Sequence, residues 1–542
     1  MSSAVLEAVE YGEVFTRRWV VETMLDLVGY SAERNLTTMR LIEPSIGSGA
    51  FLLPAVERLL RSAKTRGVPF RELSNCILGI DLQPQHAEHC RIAIADMLSS
   101  AGATSVEAVE LAALWVQSGD FLLADIRGQA DVVIGNPPYI RSDDLDNEVE
   151  AEYRSRWKTM RGRADIYVGF YERSLGLLKQ DGRLAFICAD RWMRNAYGKR
   201  LRGLVVSGYA VETVWQLHDV DAFESEVSAY PAITVLRNSR QGAATIVDTT
   251  ADFGAEEADR AVRFALGTEA EASGNGWTGA RLSSWFETAD FWPAGSPHTI
   301  KILEDLAERF PTLEADGNTR IGIGVATGAD KAYIHSTTDV DVEPARLLPI
   351  VMADDIRQGY LRPPAKVMLN PWDEHGRLVD AEDYPRFTAT LSSHEAVMSR
   401  FVARKNPATW HRTIDKVLPG LAERPKLLLQ DMKAQITPVL EPGGYYPHHN
   451  LYYIVSDRWD LEVLGGLLLS RVAEAFISSY GVKMRGGTLR FQAQYLRKIA
   501  VPSPESLTVE LAERFKTAFR EKDRDAATTA AEEAYGLPCG TI

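Results

Sequence analysis

The sequence predicts an α/β protein: an open, mostly parallel sheet wound by helices, followed by a second domain of mixed α+β character. Two observations predict the first part. The buried-type runs Leu41-Ile-Glu43 and Cys76-Ile-Leu-Gly-Ile-Asp81 each end in an acid, and apolar residues at helical spacing follow them. Val132 to Gly135 repeats the buried run further along the chain. The second part is predicted by a change of pattern. Beyond residue 240 the strand–helix alternation stops, and 542 residues exceed one ordinary domain.

Taken in order, Thr16 reads as a helix N-cap, because Val20, Val21, Met24, Leu25, Leu27 and Val28 follow on one helix face. Residues 40–53 read as strand, glycine turn and helix. Gly47 and Gly49 let the backbone approach a ligand without a Cβ in the way, and Glu43 just ahead of them suits a cation. A phosphate would want no carboxylate there. Asp81, at the tip of the second strand, can take two ribose hydroxyls, as acids do in dinucleotide folds. Residues 82–98 follow as a helix, with His86 and His89 on its surface, and Gly119-Asp120-Phe121-Leu122 falls at the end of a third strand. Residues 165–178 read as a helix, and residues 183–188 as a strand entered from a turn at Asp181-Gly182. Residues 213–217 and 229–236 read as a strand pair that closes the sheet.

The stretch Asn136-Pro137-Pro138-Tyr139 leaves the carboxyl end of the run 132–135, where open α/β sheets place their ligands. Two prolines fix φ and remove backbone donors, so the loop is stiff. The amide oxygen of Asn136 and the carbonyl of Pro137 can accept both hydrogens of one planar amino group, and Tyr139 offers a ring for a flat heterocycle. Pro-Pro alone is an ordinary turn; the full tetrapeptide suits an exocyclic amine.

Asn-Pro-Pro-Tyr resembles the catalytic motif of the amino-group methyltransferases that use S-adenosylmethionine and act on adenine N6, cytosine N4 or protein glutamine. Tyr11-Gly-Glu-Val-Phe-Thr16 is similar to the segment ahead of their cofactor site, with Arg17 where proline is usual. Glu43-Pro-Ser-Ile-Gly-Ser-Gly-Ala-Phe-Leu52 is similar to their first motif, with Ile46 where cysteine is common. In order and spacing these stretches resemble the adenine methyltransferases related to the Eco57I and TaqI enzymes. Residues 320–334, 347–360, 445–454 and 485–496 resemble segments of their target-recognition domain.

The resemblance implies a Rossmann-like class I methyltransferase sheet and transfer to N6 of an adenine swung out of double-stranded DNA, in a restriction-modification or related system. It implies S-adenosylmethionine as cofactor, held by Thr16, Glu43, Gly47, Gly49, Asp81, Asp120, Phe121 and Asn136. Chemistry would fall to Asn136, Pro137 and Tyr139. Phe223 would stack on the extruded base opposite Tyr139, unless it simply packs, and Arg163, Arg191 and Lys199 would meet phosphates. The expected domains are a catalytic domain 1–245, a connecting segment 246–310, a target-recognition domain 311–505 and a solvated helical tail 506–542. A protein-glutamine methyltransferase is the alternative that the large carboxyl-terminal part disfavours. An inactive recognition subunit is the one that the intact motifs disfavour.

A net charge of −14 sits awkwardly with a DNA-binding protein, so distribution matters more than the sum. Basic residues gather between Arg154 and Arg163, at Arg191, Arg194, Lys199, Arg200 and Arg202, and at Lys483, Arg485, Arg490, Arg497 and Lys498, which predicts a local basic cleft. Cys76, Cys90, Cys188 and Cys539 lie too far apart for a disulfide framework or a zinc site and read as packing residues. No partner ligands flank His448 and His449, so no metal is expected. With no apolar span and no secretory signal, a cytoplasmic protein is expected, as a monomer. The short stretch ahead of Glu43 leaves no room for a nuclease, so a restriction endonuclease would be a separate chain.

Overall fold

The computed structural model describes residues 16–217, 220–224, 231–338, 340–481, 483–484 and 488–542, and it divides into two compact units, 1–301 and 302–542. The segment 11–15 and the start of the run 229–236 lie outside the described residues.

The first unit is built on strands β1 (Leu41–Glu43), β2 (Ile77–Asp81), β3 (Val116–Ser118), β4 (Ala130–Gly135), β5 (Leu178–Ala189), β6 (Ala210–Gln216), β7 (Pro231–Arg237), β8 (Ala244–Thr249), β9 (Glu271–Gly274) and β10 (Trp277–Leu282). They form one sheet in the order β3-β2-β1-β4-β5-β7-β6-β8-β10-β9. β1 to β5 pair in parallel, and β7 runs antiparallel between β5 and β6. The middles of the central strands are apolar because helices cover both faces. Leu41, Val132, Ile134, Ala185 and Ile187 enter one core, while Ile42, Val133, Leu184 and Phe186 enter the other. That alternation is the period of two of a pleated strand. The strand order turns back at β1, between β2 and β4, and the crevice outside the carboxyl ends of β1 and β4 is the switch point where such sheets bind ligands.

Three expectations change here. Thr16 is not an N-cap: the helix Arg18–Leu27 begins after Arg17, which makes no side-chain cap. The Asp181-Gly182 turn lies inside β5, where Asp181 takes a left-handed φ of 65° and the register with β4 shifts. Nor does the pair β6–β7 close the sheet, since β8, β10 and β9 extend it. Residues 246–310 are therefore not a connecting segment. Their small and acidic composition belongs to the solvent side of the helix Ala255–Leu266, which buries Ala258, Ala261, Val262, Phe264 and Ala265.

The second unit carries β11 (Thr319–Ile323), β12 (Ile334–Ser336), β13 (Leu347–Val351), β14 (Lys366–Leu369), β15 (Lys426–Gln430), β16 (Met432–Lys433), β17 (Val439–Glu441), β18 (Tyr446–Pro447), β19 (Leu451–Ser456), β20 (Lys483–Met484) and β21 (Thr488–Arg490). They form sheets β11-β19-β15-β17, β12-β14-β13-β18 and β16-β21-β20. The glycine-rich run 320–334 is thus not a strand pair, because β11 and β12 belong to different sheets. The tail is not a solvated appendage either. Its helices Val509–Glu521 and Arg524–Tyr535 bury Phe515, Phe519, Ala527 and Tyr535. Gly465 and Gly466 in the helix Leu461–Leu469 permit this approach: a Cβ at Gly466 would stand 2.3 Å from the Phe515 carbonyl oxygen. Among the described residues no helix is long and apolar enough to cross a membrane.

Candidate active site

Glu43 closes β1 with its side chain in the interior, 1% exposed. Its Oε2 has no hydrogen-bond partner among the described residues. Burial, reinforced by the nearby Asp81, pushes its carboxyl well above the usual carboxylate range. Asp81 ends β2 and organises the turn: the Gly47 N–H donates to its Oδ2 at 2.8 Å and the Gln83 N–H to its Oδ1 at 2.9 Å. Gly47, at φ 49°, has nothing within 4 Å of where a Cβ would stand. Gly49 serves a different purpose. A Cβ there would press on Leu53 Cγ at 3.0 Å and Cys90 Sγ at 3.1 Å, and Gly49 is not on the cavity wall, so its need is for packing.

A cavity of about 320 Å³ collects the strand tips. Thr16, Glu43, Gly47, Asp81, Asp120, Phe121, Asn136 and Pro137 all line it. Asp120 follows β3; its Oδ1 accepts from the Leu122 N–H at 2.8 Å and its Oδ2 from the Tyr153 hydroxyl at 2.7 Å. Phe121 stacks on Phe170, ring centroids 5.3 Å apart, and the Arg173 guanidinium lies 4.9 Å from its centroid. Tyr153 and Phe170 also line the cavity and were not singled out from the sequence. Tyr153 sits in the helix Asn147–Arg156, whose charges masked its apolar side.

Asn136 and Pro137 leave β4 at the cavity wall. The Asn136 amide donates to Thr16 Oγ1 at 3.3 Å, and the Ser45 hydroxyl donates to the Asn136 main-chain carbonyl at 3.0 Å. No described residue donates to the Pro137 carbonyl. Tyr139 is half-buried beside the core that holds Phe186, with its hydroxyl 3.4 Å from the Ile187 carbonyl, and it does not line the cavity.

Phe223 does not present a ring to a ligand. It is 5% exposed, because its backbone bridges to Thr16 and the Arg17 N–H donates to Ala222, which draws the side chain into the core. The basic runs are also less available than their sequence suggests. Arg154 and Arg156 pair with Glu150 and Glu152 four residues earlier. Arg194 is buried against Asp190, and Arg202 is buried on the carbonyls of Trp192, Asn195 and Ala289, with burial lowering its pKa to about 10. Arg191 is half-buried, and its charge offsets the burial that raises Asp165. Arg490 pairs with Asp431 and Arg497 with Glu314, while Arg485 and the side chain of Lys483 lie outside the described residues. Arg163, 91% exposed, and Lys199 do reach solvent. His448 is not isolated, because folding brings Asp330 to it, with Oδ2 3.0 Å from His448 Nε2.

Residues 75–223, which contain the Asn136 loop, match the model of the Eco57I restriction-modification methylase family. The type II methyltransferase M.PaeR7I of Pseudomonas aeruginosa is 42% identical over 534 residues, covering 97% of this chain and 92% of that one. The chain belongs to the type II methyltransferases of restriction-modification systems. The methyltransferase M.XhoI of Xanthomonas vasicola is 39% identical over 97% of each chain. The solved structure of the type IIL restriction-modification enzyme MmeI in complex with DNA shares the fold, at TM-score 0.58 and 12% identity, over 99% of this chain and 76% of that one. S-adenosylmethionine is the methyl donor of this methyltransferase. Its cavity fits that donor: the buried Glu43 oxygen, without a partner among the described residues, suits an ammonium, and Gly47 leaves the backbone open to a ligand.

Proposed function

We propose that this methyltransferase transfers a methyl group to N6 of an adenine swung out of double-stranded DNA. The observation that carries the reading is the junction at the tip of β4. Asn136 and Pro137 stand on the wall of the same cavity as Glu43, Asp81 and Asp120, and no described residue donates to the Pro137 carbonyl.

Bound S-adenosylmethionine supplies an electrophilic methyl group on a sulfonium. Glu43 takes its methionine ammonium, Asp81 its ribose hydroxyls, and Asp120 with Phe121 its adenine. The lone pair of a nucleobase amino group is delocalised into the ring, so that nitrogen is a poor nucleophile until its hydrogens are held out of plane. Asn136 and Pro137 accept those hydrogens, and their fixed carbonyl dipoles stabilise the positive charge that grows on the nitrogen. No strong base is required. Thr16 and Ser45 fix the orientation of Asn136 from its two ends. Tyr139 offers a stacking face to a base that has left the duplex.

Arg163 and Lys199 are the exposed cations of the first unit that meet phosphates, and the second unit chooses the DNA sequence. The enzyme works as a cytoplasmic monomer in a restriction-modification system. Radiolabelled methyl transfer to duplex DNA, followed by base analysis, tests the reading. Label on N6-methyladenine is expected, and label on cytosine or on protein glutamine overturns it.

A further inference from the structure

The second unit passes four times between its two four-stranded sheets, and two of these crossings meet at a group of metal-ligating side chains. β11 leads through Asp330 into β12, and β18 leads through His448 and His449 into β19. The crossings are laced by backbone bonds: the Val325 N–H donates to Pro447 at 2.9 Å and the His449 N–H to Val325 at 3.1 Å. At their meeting His448 is 1% exposed, with its Nε2 3.0 Å from Asp330 Oδ2. The two imidazole rings are tilted at 56° with centroids 4.1 Å apart. One ligating atom from each of the three residues lies within 4.8 Å of the others. Thr327 donates to the second oxygen of Asp330 at 2.5 Å and so fixes the carboxylate.

A hydrogen bond between His448 and Asp330 accounts for one imidazole nitrogen. It leaves Nδ1 of the adjacent His449 buried with no partner among the described residues, a state that folded proteins rarely leave unmet. Neutral imidazole and carboxylate are the donors that zinc and its first-row neighbours prefer. A nitrogen and an oxygen 3.0 Å apart match the span of two bonds of about 2.0–2.1 Å meeting near a right angle.

We propose that Asp330, His448 and His449 bind a divalent transition metal, zinc foremost, which staples the two crossings together. The site is independent of the methyl-transfer chemistry of the first unit.

The test uses the full-length chain stripped with a chelator, titrated with Zn²⁺ by calorimetry and with Co²⁺ by visible absorption. One equivalent of Zn²⁺ per chain is expected, together with a Co²⁺ spectrum unlike that of the aquo ion. Asp330→Asn and His449→Ala, at the less buried positions, are each expected to weaken Zn²⁺ binding at least about tenfold. Their metal-free unfolding midpoints should stay close to that of the stripped parent, with His449→Gln as the second choice if His449→Ala fails to fold. Added Zn²⁺ should raise the midpoint of the parent but not of the variants. The proposal is overturned if the parent binds no more Zn²⁺ than the Asp330→Asn/His449→Ala double variant, or if Zn²⁺ leaves its midpoint unchanged.

Discussion

Replacing Glu43 with Gln tests the cofactor site at its most distinctive atom. The buried Oε2 has no partner among the described residues, and the carboxyl holds its proton to higher pH than an ordinary glutamate, through burial first and Asp81 second. A ligand ammonium reverses that preference, because it stabilises the carboxylate. Binding must then expel a proton wherever the free protein is still protonated. The sign follows from linkage: below the folded-state pKa of Glu43 the affinity climbs as pH rises, by up to about tenfold per unit, and above it the affinity levels off. Measurements between about pH 5.5 and 7.5 keep an α-amino group charged, since its own pKa is about 7.7–8.0. Gln keeps the shape and a carbonyl oxygen but loses the charge. A hydrogen bond to a charged group contributes about 1.5–3 kcal/mol, so the variant should bind S-adenosylmethionine about 10–150-fold more weakly at pH 7.5. Calorimetry in two buffers of different ionisation enthalpy reads affinity and proton release together. The assignment of Glu43 to the ammonium is refuted if the Gln variant binds within twofold of the parent, or releases the same number of protons.

Three further outcomes follow from the same geometry. Asn136→Ala removes one of the two acceptors aimed at the target amine, so kcat should fall about 10²–10³-fold, or ~2.7–4 kcal/mol, while calorimetry finds cofactor affinity nearly intact. Thr16→Val removes the hydroxyl that receives the Asn136 amide and should lower kcat about 2–12-fold through a net bond of ~0.5–1.5 kcal/mol, read in steady-state kinetics at saturating cofactor. Phe515→Ala should cost about 3–5 kcal/mol in denaturant unfolding of the second unit, and a chain ending at residue 505 should fail to fold that unit, because the last two helices supply part of its core.

What the sequence made legible is what local pattern encodes. Strand tips that end in Glu43, Asp81 and Asn136 were readable because a buried run followed by an acid or a stiff turn is a short-range signal. The partners of those residues were not, since they arrive from far along the chain: Thr16 lies 120 residues from Asn136, and Ser45 lies 91. Phe223 shows the limit of a motif, which names a residue type but not the direction of its side chain. The backbone bridge to Thr16 decided that direction. The basic runs misled for a nearer reason. Glu150 and Glu152 stand one helical turn before Arg154 and Arg156, a spacing the sequence already contained. β8 to β10 were lost to composition, because a strand at the far end of a sheet tolerates small and polar residues that also occur in linkers.

The site also explains why its two ligands are handled by adjacent strands. In the proposed reading β1 would carry the donor side, with Glu43 and the turn through Ser45 and Gly47, and β4 the acceptor side, with Asn136 and Pro137. The two strands are parallel neighbours in register at Leu41–Val132 and Ile42–Val133, so their tips cannot move apart without breaking the centre of the sheet. The Ser45–Asn136 bond ties the loops beyond the strands as well. Methyl transfer needs donor and acceptor held at a near-attack distance, and misplacement by about 1 Å can cost on the order of 10²-fold. Here that distance is set by the pairing of two buried strands and by a loop that two prolines stiffen, rather than by flexible side chains.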